Sequence, residues 1–265
     1  MRAVFLDLDG TIVNMSRAIP AAAPAIARLE ATGVRCLIAT GRMFVSSRRF
    51  AEELGVAGPI VCYQGALIGE PDGTILEHHP LEPAAAREIV AAVVEEGFHV
   101  NVFIEDRFYV AEENEEARRY ASGAGVPINV VGDLAAWIAE PVTKIVISDR
   151  DTAKLDALKE RLVPRFGDRA FIAKSLAWFL EIAAPGVSKA HGCERVTELL
   201  GLTAADCMAF GDGENDIEML EWAGTGVAVE DGFPELVEKA DWHVPPLVQD
   251  GVPRALEALA AARGG

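Results

Sequence analysis

Short apolar runs alternate with helix-like segments in the first third of the chain. The runs at residues 3–6, 34–39 and 60–63 are almost continuously apolar, which is typical of strands buried on both faces of a parallel sheet. Between them, the patterns at residues 20–32 and 44–54 predict helices, and the first has a proline near its start and a glycine just after its end. Strands and helices that alternate with short links predict a parallel sheet covered by helices.

The pattern changes in the middle of the chain, from about residue 83. Apolar runs at residues 100–104 and 108–110 lie close enough to form an antiparallel hairpin, which predicts an α+β unit with its own sheet. The other predicted elements there are helices at 84–96, 112–121 and 152–165 and strands at 142–148 and 177–183. After residue 185 the first pattern resumes, with helices at 188–200 and 216–222 and strands at 207–210 and 226–229.

This order of elements predicts one domain inserted into another. We expect an α/β protein with a Rossmann-like, doubly wound parallel sheet core formed by residues 1–82 and 185–265. Residues 83–184 are expected to form the inserted α+β domain. The length of 265 residues is compatible with one large domain or two modest ones.

Composition excludes several classes of protein. With 51% hydrophobic residues and a mean hydropathy of +0.20, the chain has enough apolar surface for a sizeable core, so global disorder is excluded. The formal net charge of −17 argues against nucleic acid or an anionic membrane as a partner, since both are polyanions. A small anionic substrate stays compatible with this charge if a bound cation supplies positive charge locally.

The cysteines and the N-terminus favour a cytoplasmic protein. The four cysteines form no Cys-x-x-Cys pair and do not cluster with histidines, so we expect buried free thiols in a reducing compartment. The first apolar run is interrupted by an aspartate, unlike a signal peptide, and no window is long enough for a membrane helix. We expect a monomer or a homodimer.

Two carboxylates follow the first predicted strand, in the run Asp7-Leu8-Asp9-Gly10-Thr11. They could bind a hard cation, divide nucleophilic and acid–base roles, or form a solvated turn. Because Asp7 directly follows a buried strand, partial burial disfavours the plain turn. A calcium loop fits poorly, since its sixth position needs glycine and is Ile12 here.

Polar side chains also follow the second strand of the core and begin a helix after residue 187. The hydroxyl, bare backbone and guanidinium of Thr40-Gly41-Arg42 suit a phosphate oxygen, although a plain turn explains them equally well. Ser188 is a plausible N-cap, and Lys189 in the first turn opposes the helix dipole.

The last such segment is Gly211-Asp212-Gly213-Glu214-Asn215-Asp216. Flanking glycines free the backbone to aim Asp212, whereas Asp216 is also compatible with a plain helix cap. Ligands of open α/β sheets bind at the carboxyl ends of the strands, so Asp7, Asp9, Asp212 and Lys189 should converge there. Carboxylates this close repel unless a cation neutralises them, which predicts a divalent metal, Mg²⁺, and a phosphoryl substrate.

These four segments resemble, in order, the four motifs of the haloacid dehalogenase superfamily of phosphohydrolases. The position of the insertion, between the second and third motifs, is similar to that of the Cof-type branch, whose cap domain contains its own sheet. The resemblance implies a Mg²⁺-dependent phosphatase of small phosphorylated metabolites, mostly sugar phosphates, with residues 83–184 as the cap that selects the substrate.

The resemblance also implies a role for each matching residue. Asp7 would be the nucleophile that forms an aspartyl phosphate, and Asp9 the general acid and base. Mg²⁺ would be held by the Asp7 side chain, the Asp9 main-chain carbonyl and Asp212. The phosphoryl oxygens would be bound by Thr40, Gly41, Lys189 and Asn215. Supporting residues would be Leu8, Gly10, Thr11, Arg42 and Asp216, the last as an outer carboxylate on Lys189 or on a metal-bound water.

The sequence departs from the family pattern and leaves rival functions open. Gln64 stands where the family usually has Asn, and Ala190 where Gly is common. Dehalogenases attack carbon and lack the second aspartate, so Asp9 argues for phosphate. A phosphomutase would need a second phosphate site, for which no extra basic cluster is evident. A catalytically silent metabolite-binding protein would not need the intact acidic residues. The aromatic residues of the insertion are predicted to pack in its core: Phe108, Tyr109 and Trp178.

Overall fold

The computed structural model describes residues 1–14 and 17–264. The chain forms two compact units, one from Met1–Leu76 with Ser188–Gly265 and the other from Glu77–Val187. We call the first the core unit and the second the inserted unit.

The first part of the core unit contains most of its strands. Its elements are β1 (Ala3–Leu6), β2 (Val13–Asn14), β3 (Arg17–Ala18), α1 (Ala22–Glu30), β4 (Arg35–Ala39), α2 (Phe44–Leu54), β5 (Ile60–Cys62), a 3-10 turn (Tyr63–Gly65), β6 (Leu67–Gly69) and β7 (Ile75–His78).

The inserted unit follows along the chain. Its elements are α3 (Pro83–Glu95), β8 (His99–Ile104), β9 (Arg107–Val110), α4 (Glu115–Ala124), β10 (Asn129–Val130), α5 (Leu134–Trp137), β11 (Lys144–Ser148), α6 (Thr152–Phe166), β12 (Phe171–Leu176) and β13 (Phe179–Ala183).

The chain then returns to the core unit. The remaining elements are α7 (Lys189–Leu199), a 3-10 turn (Ala204–Asp206), β14 (Cys207–Gly211), a 3-10 turn (Glu214–Asp216), α8 (Ile217–Trp222), β15 (Thr225–Val229), α9 (Pro234–Lys239), β16 (Trp242–Val244), a 3-10 turn (Leu247–Gln249) and α10 (Gly251–Gly264).

The core sheet has eight strands in the order β16-β15-β14-β1-β4-β5-β6-β7. β1 pairs in parallel with β14 on one side and with β4 on the other, and all four of its side chains are fully buried. This two-sided burial explains why the strand is continuously apolar. The α/β fold with a parallel sheet at its centre is therefore confirmed, and β1, β4 and β14 end at the same edge of the sheet.

The inserted unit contains a six-stranded sheet in the order β10-β9-β8-β11-β13-β12. Its pairings are antiparallel except for that of β9 with β10. The strand expected at 177–183 begins later than predicted, at Phe179. A second strand, β12, precedes it and pairs with it in a hairpin that was not predicted. The intervening turn, Ala177-Trp178, lacks the Gly, Asn or Pro residues that mark most hairpins.

The aromatic residues of the inserted unit occupy three different environments. Phe108 is fully buried and packs against Phe103 and Tyr120, as expected. Tyr109 is half-buried, with its ring 4.6 Å from that of Trp137. Core packing was the wrong prediction for Trp178, which is 48% exposed because it lies in the turn between β12 and β13.

Two further expectations concern the cysteines and the helices. Cys36, Cys62, Cys193 and Cys207 are buried free thiols, as predicted. Within residues 1–14 and 17–264, none of the helices has both the length and the apolar character needed to cross a membrane.

Candidate active site

Lys189 joins two carboxylates at the carboxyl edge of the core sheet. Its Nζ lies 2.6 Å from Oδ1 of Asp7, which directly follows β1, and 2.6 Å from Oδ1 of Asp216. All three side chains are buried, with at most 6% of each exposed. Ser188 caps α7 by accepting the N–H of His191, so the helix begins at the lysine. The two carboxylates offset the unfavourable position of this cation in the first turn of a helix.

Asp212 follows β14 and is held beside Asp7 by neighbouring residues. Thr11 Oγ1 donates to Asp212 Oδ1 at 3.0 Å. Gly10 has a φ of +84°, and a Cβ at this position would lie 2.1 Å from Asp212 Oδ2. Glycine is therefore required here both for the backbone conformation and for space.

The backbone around Asp212 is fixed by the other carboxylate of the segment. Asp216 Oδ2 accepts the N–H groups of Asp212 and Gly213, at 3.2 and 3.0 Å. Asp216 thus uses one oxygen to fix the loop and the other to bind Lys189. Because of these two contacts, Asp216 does more than begin the following helix.

The electrostatics of this cluster are those of buried like charges. Burial, reinforced by the neighbouring Asp216 and Asp212, raises the pKa of Asp7 well above its usual range, although Lys189 opposes the shift. Burial and Asp216 raise the pKa of Asp212 to about 7, against the opposing effects of Lys189 and Thr11. Burial lowers the pKa of Lys189, but Asp216 and Asp7 outweigh it, so the net shift is upward. A single ammonium thus leaves the acidic groups undercompensated.

The same residues fit a hard divalent cation. One carboxylate oxygen from each of Asp7, Asp212 and Asp216 lies within 4.8 Å of the others. Carboxylate oxygens are the ligands that Mg²⁺ prefers, and a divalent charge would stabilise the ionised forms that burial disfavours. The cluster includes two of the three predicted ligands, Asp7 and Asp212, and adds Asp216.

The predicted phosphate-binding residues lie around this cluster on three loops of the core unit. Thr40, which follows β4, is buried, and its Oγ1 accepts the backbone N–H of Arg42 at 3.2 Å. Asn215 lies in the 3-10 turn before α8, and its Nδ2 donates to Gln64 Oε1 at 2.9 Å. Gly41 lies beside the same glutamine, whose Nε2 would be 2.5 Å from a Cβ at this position. The Gln64 side chain therefore links two of these loops, a role that its residue type did not reveal.

Arg42, which the sequence analysis assigned to the phosphate site, forms an ion pair with the carboxylate of Asp9. Its Nε lies 2.6 Å from Asp9 Oδ2 and its Nη2 2.5 Å from Asp9 Oδ1, a two-pronged ion pair. The guanidinium also lies over the ring of Phe50, 4.7 Å from its centre. The sequence offered only the spacing of Arg42 from Thr40, so this partner was not foreseen.

Leu8, the remaining predicted supporting residue, acts through its backbone. Its side chain is fully buried, and its carbonyl accepts the N–H groups of Thr11, Ile12 and Val13. These hydrogen bonds shape the loop that follows Asp7. The supporting part proposed for Leu8 is therefore structural in nature.

Comparison with known proteins establishes the family. Residues 4–256 match the family model described as haloacid dehalogenase-like hydrolase. The chain is 30% identical over 241 residues to HMP-PP phosphatase of Cronobacter sakazakii, and the matched region covers 90% of this chain and 87% of that protein. It is also 30% identical over 263 residues to the 5-amino-6-(5-phospho-D-ribitylamino)uracil phosphatase of Bacillus subtilis, with 96% of each protein covered.

A solved structure gives the same result for the fold. The crystal structure of TM0651 from Thermotoga maritima superimposes with a TM-score of 0.81 at 28% identity, covering 97% of both chains. The chain therefore belongs to the haloacid dehalogenase-like hydrolases. The resemblance found in the sequence, and the prediction of a hydrolase with this fold, are confirmed.

Proposed function

We propose that this hydrolase is a Mg²⁺-dependent phosphatase that acts through a phosphorylated Asp7. The observation that carries the proposal is the buried contact of Lys189 with both Asp7 and Asp216, beside Asp212. A nucleophilic carboxylate, a buried cation and further hard oxygen ligands in one place suit the transfer of a phosphoryl group.

In the first step, an oxygen of Asp7 attacks phosphorus, and the bond from phosphorus to the ester oxygen breaks. Lys189 holds Oδ1 of Asp7, which fixes the carboxylate for attack along one direction. The same ammonium, with the Asn215 amide and the Thr40–Gly41 loop, would bind the phosphoryl oxygens. Bound Mg²⁺ would be held by the side chains of Asp7 and Asp212 and by the Asp9 main-chain carbonyl, with Asp216 as an outer carboxylate, and would neutralise the negative charge of the phosphoryl group.

Asp9 would manage the protons in both steps. It donates a proton to the departing alkoxide and then takes one from the water that attacks phosphorus, which releases phosphate and restores Asp7. Arg42 orients this side chain through its two contacts. Both oxygens of Asp9 accept a hydrogen bond from Arg42. When one oxygen carries the proton, we expect that oxygen to give up its hydrogen bond with Arg42.

We further propose that the substrates are small phosphorylated metabolites, with sugar phosphates as the main class. The family resemblance supports this class, and one relative is named for a phospho-D-ribityl compound. A net charge of −17 disfavours phosphorylated polyanions such as nucleic acids. Along the sequence, the insertion at Glu77–Val187 comes after Thr40 and before Lys189, and we propose that this unit selects the substrate.

A panel of phosphate esters tests this function. Purified protein with Mg²⁺ should release phosphate from an aryl phosphate and from sugar phosphates, and Asp7→Asn should reduce kcat by at least ~10³-fold, because an amide is not an anionic nucleophile. A higher kcat/KM for phosphopeptides or for DNA with a terminal phosphate than for every sugar phosphate would refute the substrate class. Wild-type protein that hydrolyses none of these esters would refute the function itself.

A further inference from the structure

The turn that follows β5 has an unusual backbone. Tyr63, Gln64 and Gly65 have φ angles of 52°, 62° and 95°, all in the left-handed region. Glycine adopts this region readily, but a residue with a side chain does so at a cost of ~1–2 kcal/mol. Tyr63 and Gln64 are both buried, with 0% and 1% exposed. Such conformations persist where the surrounding structure holds them, and they concentrate at functional sites.

The backbone of this turn contacts two of the proposed phosphate-binding loops. The N–H groups of Tyr63 and Gln64 donate to the carbonyls of Arg42 and Thr40, at 3.0 and 3.2 Å. A Cβ at Gly65 would lie 2.2 Å from the carbonyl oxygen of Ser188, the residue before Lys189. The turn is therefore packed between the loop after β4 and the beginning of α7.

The side chain of Gln64 reaches the third loop. Its Oε1 accepts Asn215 Nδ2 at 2.9 Å, and its Nε2 faces Gly41. A primary amide nitrogen carries two hydrogens, so the contact occupies one N–H of Asn215 and directs the amide nitrogen to a defined side. The second N–H can then point to a phosphoryl oxygen. An inverted Asn215 amide would place two acceptor oxygens against each other and is disfavoured.

We infer that Gln64 is a positioning residue of the phosphate pocket, which orients the Asn215 amide and spaces it from Gly41. This inference rests on the proposed function. The strained backbone is what places the glutamine amide between the two loops, and its side chain length sets their separation.

Three variants and a control test the inference. Gln64→Met keeps the length of the side chain but removes the amide, and Gln64→Gly removes the side chain while relieving the backbone. The third variant combines Gln64→Met with Asn215→Ala, for comparison with Asn215→Ala alone. Gln249→Met makes the same chemical change at an exposed position in the core unit. The readouts are KM and kcat for an aryl phosphate, calorimetric affinity for inorganic phosphate with Mg²⁺, and unfolding by urea.

We expect Gln64→Met and Gln64→Gly each to raise KM and to weaken phosphate binding about tenfold, with kcat changed less than about threefold. Gln249→Met should match the wild type. The double variant should be no worse than Asn215→Ala, because Gln64 acts through that amide. A merely structural role predicts instead that Gln64→Gly, which removes the strain, restores both stability and KM.

Three results would overturn the inference: unchanged phosphate affinity in Gln64→Met, recovery of KM in Gln64→Gly, or additive losses in the double variant. Phosphate binding separates this inference from the proposed function. Wild-type protein that binds phosphate but hydrolyses no ester would refute the function, while the comparison of Gln64→Met with the wild type would still decide the role of Gln64. If Gln64→Met fails to fold, Gln64→Gly provides the same comparison.

Discussion

Gly10→Ala should impair activity much more than stability, because the added methyl group displaces the Asp212 carboxylate. The new Cβ would lie 2.1 Å from Oδ2, 2.5 Å from Cγ and 2.8 Å from Oδ1 of that carboxylate. Favourable contacts of carbon lie at ~3.5–4.0 Å, so the carboxylate must move by more than ~1 Å. The hydrogen bond from Thr11 resists this movement. A misplacement of ~1 Å in a catalytic site can reduce the rate ~100-fold.

Gly33→Ala is a matched control for the backbone. Gly33 has a φ of +87°, close to the +84° of Gly10, and among the described residues nothing lies within 4 Å of its added Cβ. Both substitutions should therefore lose ~1–2 kcal/mol of stability from the left-handed backbone. Only Gly10→Ala has an additional steric effect on Asp212.

The assay is kcat/KM for an aryl phosphate as a function of Mg²⁺ concentration, with urea unfolding of both variants. We expect Gly10→Ala to lose at least ~100-fold in kcat/KM and to need more Mg²⁺ for half-maximal activity, while Gly33→Ala stays within about threefold of the wild type. Equal activity of the two variants, with similar stability, would show that the position of Asp212 does not matter for turnover.

Three further predictions follow from other parts of the structure. Removal of metal with EDTA should abolish activity, Mg²⁺ should restore it and Ca²⁺ should do so poorly, since Ca²⁺ prefers more ligands and longer bonds; full activity without metal would contradict this. Arg42→Lys loses the two-pronged contact with Asp9 and should lower kcat ~10–100-fold with little change in KM; a raised KM at constant kcat would place Arg42 on the phosphate instead. Burial lowers the pKa of His99, against the opposing hydrogen bond with Asn101, so the unfolded chain takes up a proton at a higher pH than the folded one, and stability should fall as pH drops below about 6.5. Between about pH 7 and 5, the free energy of unfolding measured with urea should therefore fall less in His99→Gln than in the wild type, and equal decreases would refute this.

The central strands of the core were predictable because their burial leaves a direct trace in the sequence. The side chains of β1 are buried on both faces, so its residues are all apolar, and the change to Asp7 marks the end of the strand. The edge strands β7 and β16, and β6 beside β7, are short, with three or four residues each, and were not predicted. β12 was missed because its hairpin turn contains no residue that favours a turn.

The convergence of the site residues was predictable from topology, but the contacts among them were not. Parallel strands bring their carboxyl ends to one edge, so Asp7, Asp9, Asp212 and Lys189 were expected to converge. The structure brings Asp7, Asp212 and Lys189 together there. The pairing of Arg42 with Asp9 depends on side-chain direction, which residue spacing does not encode. The left-handed backbone at Gln64 was equally hidden, because glutamine is not a residue that signals this conformation.

The detection of phosphate on Asp7 during the first turnover is the most direct test of the proposed mechanism. Wild-type protein with Mg²⁺ would be mixed with an excess of an aryl phosphate, quenched in acid within milliseconds and digested with pepsin at the same low pH, because an acyl phosphate hydrolyses at the alkaline pH that trypsin needs. Fragmentation of the peptides by mass spectrometry distinguishes a phosphoryl group on Asp7 from one on Asp9. We predict a phosphoryl group on Asp7 that forms and decays fast enough to account for kcat and that is absent from Asp7→Asn. Turnover without a phosphorylated peptide, or with the phosphoryl group on another residue, would contradict the account.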